Sequence, residues 1–206
     1  MTFPIAVLVS GRGSNLKAIL EACASGALDA RVALVASNRA DVPALDRARA
    51  AGVPSAVFAL RDYTDRAAAH KAMAQAIGAA GARLVVLAGF DHILAPAFFV
   101  ALPGVPVINL HPALLPFFGG PGMHGDKVHA AVLASGASES GCTVHRVHPE
   151  TVDLGEVVVQ RRVPILPGDD PATLAARVLE QEHIAIVDAI RKFLPLEVTA
   201  GSVRAQ

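Results

Sequence analysis

Short apolar runs recur through the first half of the chain, at Pro4–Ser10, Val32–Ser37, Ser55–Phe58, Leu84–Ala88 and Val107–Leu110, several rich in valine and isoleucine and none alternating with polar residues. A strand with one wet face alternates; a run that does not suits a strand buried on both faces, as in a parallel sheet. Between the runs lie alanine-rich stretches with helical spacing, at Leu16–Ala24, Ala44–Ala51, Asp65–Ala80 and Pro96–Leu102. This order of strand and helix predicts an α/β fold, an open, mostly parallel sheet flanked by helices. Right-handed crossovers then place ligands beyond the carboxyl ends of the strands. Residues that directly follow a strand are therefore where the chemistry is sought.

After Pro112 the texture changes to a glycine-rich loop, "FFGGPGMHG", a helix near Lys127–Ala134, strands at "GCTVHRV" and "VVVQRRV", and a last helix from Pro171 to about Phe193. No linker or repeat interrupts the pattern, so residues 1–197 are expected to form one domain and residues 198–206 a frayed tail. With 206 residues, 53% of them apolar, one core of useful size can form. The formal net charge is zero, so any anion site must be built locally from a few groups. The expected partners are small molecules, without nucleic acid or membrane. The start "MTFPIAVLVSGRGSN" has no basic leader and its apolar run is too short to span a bilayer, which predicts a cytoplasmic protein. Cys23 and Cys142 do not form a close pair and are expected to be two buried thiols.

The first strand ends in "GRGSN", residues 11–15, and a helix follows. A strand, then glycines, then a helix directs free backbone N–H groups and the positive end of the helix dipole at one point, a natural seat for phosphate. Gly11 and Gly13 permit the tight turn, Ser14 and Asn15 can add donors, and Arg12 can add charge. The same residues also suit an ordinary helix capped by Ser14 or Asn15, and the stretch alone leaves both readings open. It is not a dinucleotide fingerprint, which needs a glycine where Leu16 stands, nor a P-loop, which needs Gly-Lys-Ser/Thr.

The strand "VPVINL" runs into "NLHPALLP", which places Asn109 and His111 two residues apart. In extended backbone those side chains share a side, so an amide donor and an imidazole can converge on one atom. That pair can serve an oxyanion site, the imidazole also carrying a transferable proton; a turn histidine satisfied by its surroundings is the alternative.

Together, "VLVSGRGSNLKAIL", "VVLAGF", "INLHPALLP" and "QEH" resemble the folate-dependent formyltransferase family, in its glycinamide ribonucleotide formyltransferase branch, from about Ile5 to about Ile190. The resemblance implies a Rossmann-like formyltransferase fold whose last strands are partly antiparallel. It also implies formyl transfer from 10-formyltetrahydrofolate, as co-substrate, to the amine of glycinamide ribonucleotide in purine biosynthesis, without metal, by a monomer or homodimer. By motif match the catalytic residues are Asn109, His111 and Asp153. Asn109 and protonated His111 would hold the tetrahedral oxyanion, with Asp153 raising the His111 pKa and helping to relay protons. The family's phosphate turn maps onto Gly13, Ser14 and Asn15, and its acidic residue for the amine or ribose onto Glu182. The folate side maps onto Arg66, Phe90, His92, Ile93 and Leu94, with Asn109 shared, and His145 matches a structural or pocket-edge histidine.

The chain departs from the family pattern in places. "HRVHPETVD" is one residue longer than the common spacing, Glu156 replaces a proline after "DLG", and Asp91 and His92 stand where an apolar residue and an arginine are common. His124, His129 and His148 have no accompanying ligand pattern and are expected to be solvated. Formyltetrahydrofolate hydrolase shares the turn and the Asn-x-His-Pro stretch but carries an extra amino-terminal domain, against which a first strand at residue 4 is the expectation. Methionyl-tRNA formyltransferase adds a carboxyl-terminal domain and a basic surface for tRNA. A noncatalytic nucleotide- or folate-binding module would not need the trio.

Overall fold

The computed structural model describes residues 2 to 195, so the tail expected to fray from Val198 lies outside the described residues. Strands β1 (Phe3–Val9), β2 (Ala30–Ser37), β3 (Ser55–Val57), β4 (Val85–Leu87) and β5 (Val107–His111) are parallel. Strand β6 (Glu139–Arg146) pairs antiparallel with β5, and β7 (Val157–Pro164) antiparallel with β6. The sheet order is β3-β2-β1-β4-β5-β6-β7. Helices are α1 (Ser14–Ala24), α2 (Pro43–Ala50), α3 (Arg66–Ala79), α4 (Pro96–Ala101), α5 (Asp126–Ala134) and α6 (Pro171–Arg191).

Burial of both sheet faces explains the unalternating runs. Along β1, Ile5, Val7 and Val9 join an apolar layer with Leu16 of α1, Leu45 of α2, Val132 of α5 and Ile186 of α6. Ala6 and Leu8 point the other way, into a second layer with Met73 and Ile77 of α3 and Phe98 of α4. Each large side chain fully buried in these layers is worth about 1.5–3 kcal/mol relative to exposure. The helices start where local chemistry allows. Asp65 accepts from the Ala68 N–H at 2.8 Å to cap α3, Asp170 and Thr173 form a capping box on α6, and prolines occupy the first turn of α2, α4 and α6.

Because β1 lies between β2 and β4, the crossovers leave it in opposite directions, and a crevice opens at the carboxyl ends of β1 and β4. The "GRGSN" turn and the "GFDHIL" segment flank that crevice, and the end of β5 lies one strand further on. A 3-10 turn at Leu60–Asp62 and the start of β6 at Glu139, ahead of "GCTVHRV", were not expected from the sequence.

Candidate active site

Asn109, on β5, lies directly across from His145 on β6, and its Nδ2 is 3.2 Å from His145 Nε2. His145 Nδ1 donates to the Arg146 carbonyl at 2.9 Å, and its Nε2 lies between the Asn109 amide and the Asp153 carboxylate. His111 Nε2 donates to the Phe118 carbonyl at 2.8 Å, so its Nδ1 is the free nitrogen, 3.7 Å from Asp153 Oδ2. Asp153 also places Oδ1 3.4 Å from His145 Nε2 and accepts the Gly120 N–H on Oδ2 at 2.9 Å. One carboxylate thus faces two imidazoles, and Asn109, His111 and Asp153 come together.

Two loops that meet at this cluster, 112–125 and 147–156, are each locally strained. Phe118 and Asp153 adopt φ of 57° and 56°, left-handed backbone that non-glycine residues rarely enter. Gly119 fits between them because a Cβ there would sit 2.7 Å from Leu115 and 3.1 Å from Asp153.

Electrostatics revises one expectation. The sequence reading has Asp153 raising the His111 pKa, and its charge does act upward, as does the Phe118 carbonyl. Burial is the larger effect and, with a contribution from His145, it holds His111 below the ordinary imidazole range. His111 is only 3% exposed, and little water stabilises a cation there. The resting imidazole is therefore neutral at pH 7. Burial also pushes Asp153 up, but hydrogen bonding to His145 and Gly120, with smaller contributions from the His111 and His145 rings, outweighs it and leaves the carboxyl below its usual range.

At the other end of the crevice, Gly13 precedes α1 with φ 72° and ψ 34°, and no side chain caps the helix. The reading of Ser14 or Asn15 as an ordinary cap therefore fails, and the first-turn N–H groups face the crevice without a side-chain acceptor. A Cβ on Gly13 would meet Ala44 Cβ at 2.7 Å, so α2 packs tightly against this turn. Asn15 instead spends its amide on Glu182, Nδ2 to Oε2 at 2.8 Å, joining α1 to α6. Glu182 is buried rather than solvated, and burial raises its pKa despite the Asn15 hydrogen bond. Asn15 Oδ1 is buried without a partner. The Arg12 side chain is exposed, and its carbonyl accepts from Arg47 Nε at 2.9 Å.

Beyond β4, Phe90 and Leu94 are buried in the second apolar layer, whereas Ile93 is 49% exposed and His92 is partly exposed. Arg66 is exposed in the first turn of α3. One turn along, His70 is a residue the sequence reading missed. Its Nδ1 accepts the Ala95 N–H at 2.9 Å, its ring lies 5.9 Å from that of His92, and burial with the charges of His92 and Arg66 lowers its pKa to about 4. It stays neutral and anchors the segment after Leu94.

A cavity of about 500 Å3 lies on the same face of β5 and β6 as Asn109 and His145, with walls that include Phe99, Val107, Val147, His148 and Pro149. The link is periodicity: Val107 and Val147 are each two residues from Asn109 and His145 on extended backbone. His129, expected to be solvated, is instead buried on α5; burial lowers its pKa, Asp126 opposes this, and His111 is near enough to add to it. His124 and His148 are exposed. Burial pushes Cys142 up to about 12 and half-buried Cys23 up to about 11, so neither thiol is a nucleophile at neutral pH. Among the described residues no cluster of three or more His, Cys, Asp or Glu is arranged to hold a metal, and no helix is long and apolar enough to cross a membrane.

The chain combines an open, mostly parallel sheet, a glycine turn without a side-chain cap after β1 and an Asn–His–Asp cluster at the end of β5. The family model described as formyl transferase matches residues 3 to 190, and the chain belongs to that family. It is 40% identical over 179 residues to the phosphoribosylglycinamide formyltransferase of Haemophilus influenzae, covering 87% of this chain and 81% of that protein. It is 43% identical over 188 residues to the trifunctional purine biosynthetic protein adenosine-3 of Drosophila pseudoobscura pseudoobscura, where the match covers 90% of this chain and 13% of that longer protein. Among solved structures, glycinamide ribonucleotide transformylase 1 from Symbiobacterium toebii superposes with a TM-score of 0.86 at 40% identity, over 93% of this chain and 87% of that one.

Proposed function

We propose that the chain transfers the formyl group of 10-formyltetrahydrofolate to the primary amine of glycinamide ribonucleotide, a step of purine biosynthesis, as a cytoplasmic protein acting on two small molecules. The observation that carries this reading is the shared carboxylate of Asp153 facing His111 and His145 beside Asn109, in a chain of the formyl transferase family.

The ribonucleotide phosphate binds the N–H groups of the uncapped turn at Gly13, Ser14 and Asn15. Buried Glu182, already joined to Asn15, receives the amine or ribose end. The folate ring enters the cavity beside Asn109, and Arg66, Phe90, His92, Ile93 and Leu94 line the approach. Attack of the amine on the formyl carbon forms a C–N bond and moves the carbonyl electrons to oxygen, where the Asn109 amide donates. Neutral His111 takes the amine proton on Nδ1, the nitrogen not committed to Phe118, and Asp153 stabilises the imidazolium that results. Cleavage of the bond to the folate nitrogen is completed when His111 returns that proton to the leaving nitrogen. The cation is thus formed during the reaction, in keeping with the burial that disfavours it at rest.

The test is folate absorbance on mixing the purified protein with 10-formyltetrahydrofolate, with and without the ribonucleotide. Deformylation that requires the ribonucleotide supports the transferase. Deformylation without it marks a hydrolase, and none in either mixture marks a binding module.

A further inference from the structure

Beside the turn after β1, three strand ends are joined by a closed ring of hydrogen bonds. The Ser10 hydroxyl donates to Asn38 Oδ1 at 2.7 Å and accepts the Asp91 backbone N–H at 3.0 Å. The Asn38 amide donates to Asp91 Oδ1 at 2.8 Å, and Arg39 pairs with Asp91 Oδ2. Ser10 also donates its own N–H to the Gly89 carbonyl at 3.0 Å. Ser10 and Asn38 are buried, so an opened ring would strand polar groups away from water. Burial pushes the Asp91 carboxyl up, but the Asn38 hydrogen bond and the charge of Arg39 are among the influences that outweigh it and hold it below its usual range.

The placement of the ring gives it a consequence beyond packing. Ser10 directly precedes Gly11 of the phosphate turn, and Asp91 lies between Phe90 and His92 of the folate segment. From this geometry we infer that Asp91 is a positioning residue that couples the two substrate sites through the Ser10–Asn38–Asp91 ring, an inference that rests on the reading of those sites given above. A ligand that orders one segment orders the other through the ring, so the second ligand meets a segment already fixed. Linkage requires that each ligand tighten the other by the same factor.

The test compares wild type, Asp91→Ala, Asp91→Asn and Arg39→Met by calorimetric binding of ribonucleotide with and without a nonreactive folate analogue, and by amide hydrogen exchange of the ligand-free proteins. The expected wild-type coupling is about fivefold or more. Asp91→Ala brings that factor to about one and speeds exchange in residues 10–15 and 90–94 together. Asp91→Asn, which keeps an oxygen for Asn38, restores most of the coupling, and Arg39→Met lowers it partially. Wild-type coupling in Asp91→Ala, no coupling in wild type, or faster exchange confined to one segment would each overturn the inference. A melting temperature lowered without change in coupling overturns it too, since that is what a purely structural role predicts. If wild type binds neither ligand, the functional reading fails, whereas the exchange arm still decides whether the ring joins the segments.

Discussion

His111 and Asp153 interact across 3.7 Å in surroundings that act on them oppositely. Burial works against charge on both, but the donors around Asp153 outweigh it, whereas at His111 it outweighs the Asp153 carboxylate and the Phe118 carbonyl. The acid limb of kcat/KM should therefore lie below pH 6.5, the ordinary imidazole value, and a pH profile checks this. Asp153→Asn removes an upward influence on His111, so that limb should move to lower pH while kcat falls by about two orders of magnitude or more. His111→Ala should lower kcat by a similar factor with little change in either KM. The same groups bear on stability. The depressed Asp153 carboxyl stabilises the fold above its unfolded pKa, about 3.9, and that contribution is lost as pH falls through its folded value. Buried neutral His111 contributes in full above its unfolded pKa and progressively less as pH drops below it. His111 therefore predicts a urea midpoint that already falls in mild acid, and Asp153 a further fall only below about pH 4.

At the scale of elements, the turn into α1 is the most constrained junction. Gly13→Ala requires left-handed backbone and drives a methyl into Ala44, so it should cost about 2–4 kcal/mol in urea unfolding and weaken ribonucleotide binding more than folate binding. Elements were legible where the local signal is strong. The runs at Pro4–Ser10 and Val32–Ser37 cover most of β1 and of β2 because burial on both faces removes polar alternation. The last helix was legible because Asp170, Pro171 and Thr173 announce its start. Asn109 and His111 were readable as a pair because they share one strand and one side. The meeting of His145 with Asn109 was not legible, because it depends on the antiparallel register of β6 on β5, which no local pattern encodes. The burial of His129 and Glu182 depends in the same way on how α5 and α6 dock against the sheet. His70 gave only the signal of a histidine one turn after Arg66, and its contact with Ala95 joins different elements.

For the molecule as a whole, topology assembles the site from distant stretches of chain. The reversal of strand order at β1 opens the crevice, β5 supplies the Asn109 amide and the His111 imidazole, and the antiparallel return of β6 allows the 147–156 segment to bring Asp153 back to them. The cavity shares this face, so Val147→Phe should fill it and raise the folate KM about tenfold or more, leaving the ribonucleotide KM near wild type in steady-state kinetics. In the proposed reaction both substrates occupy one crevice and the formyl group passes directly between them. Its most direct test follows an isotopic label in the formyl group of 10-formyltetrahydrofolate. The account predicts that the label appears in the ribonucleotide one for one with folate deformylated; label released as formate, with the ribonucleotide unchanged, would contradict it.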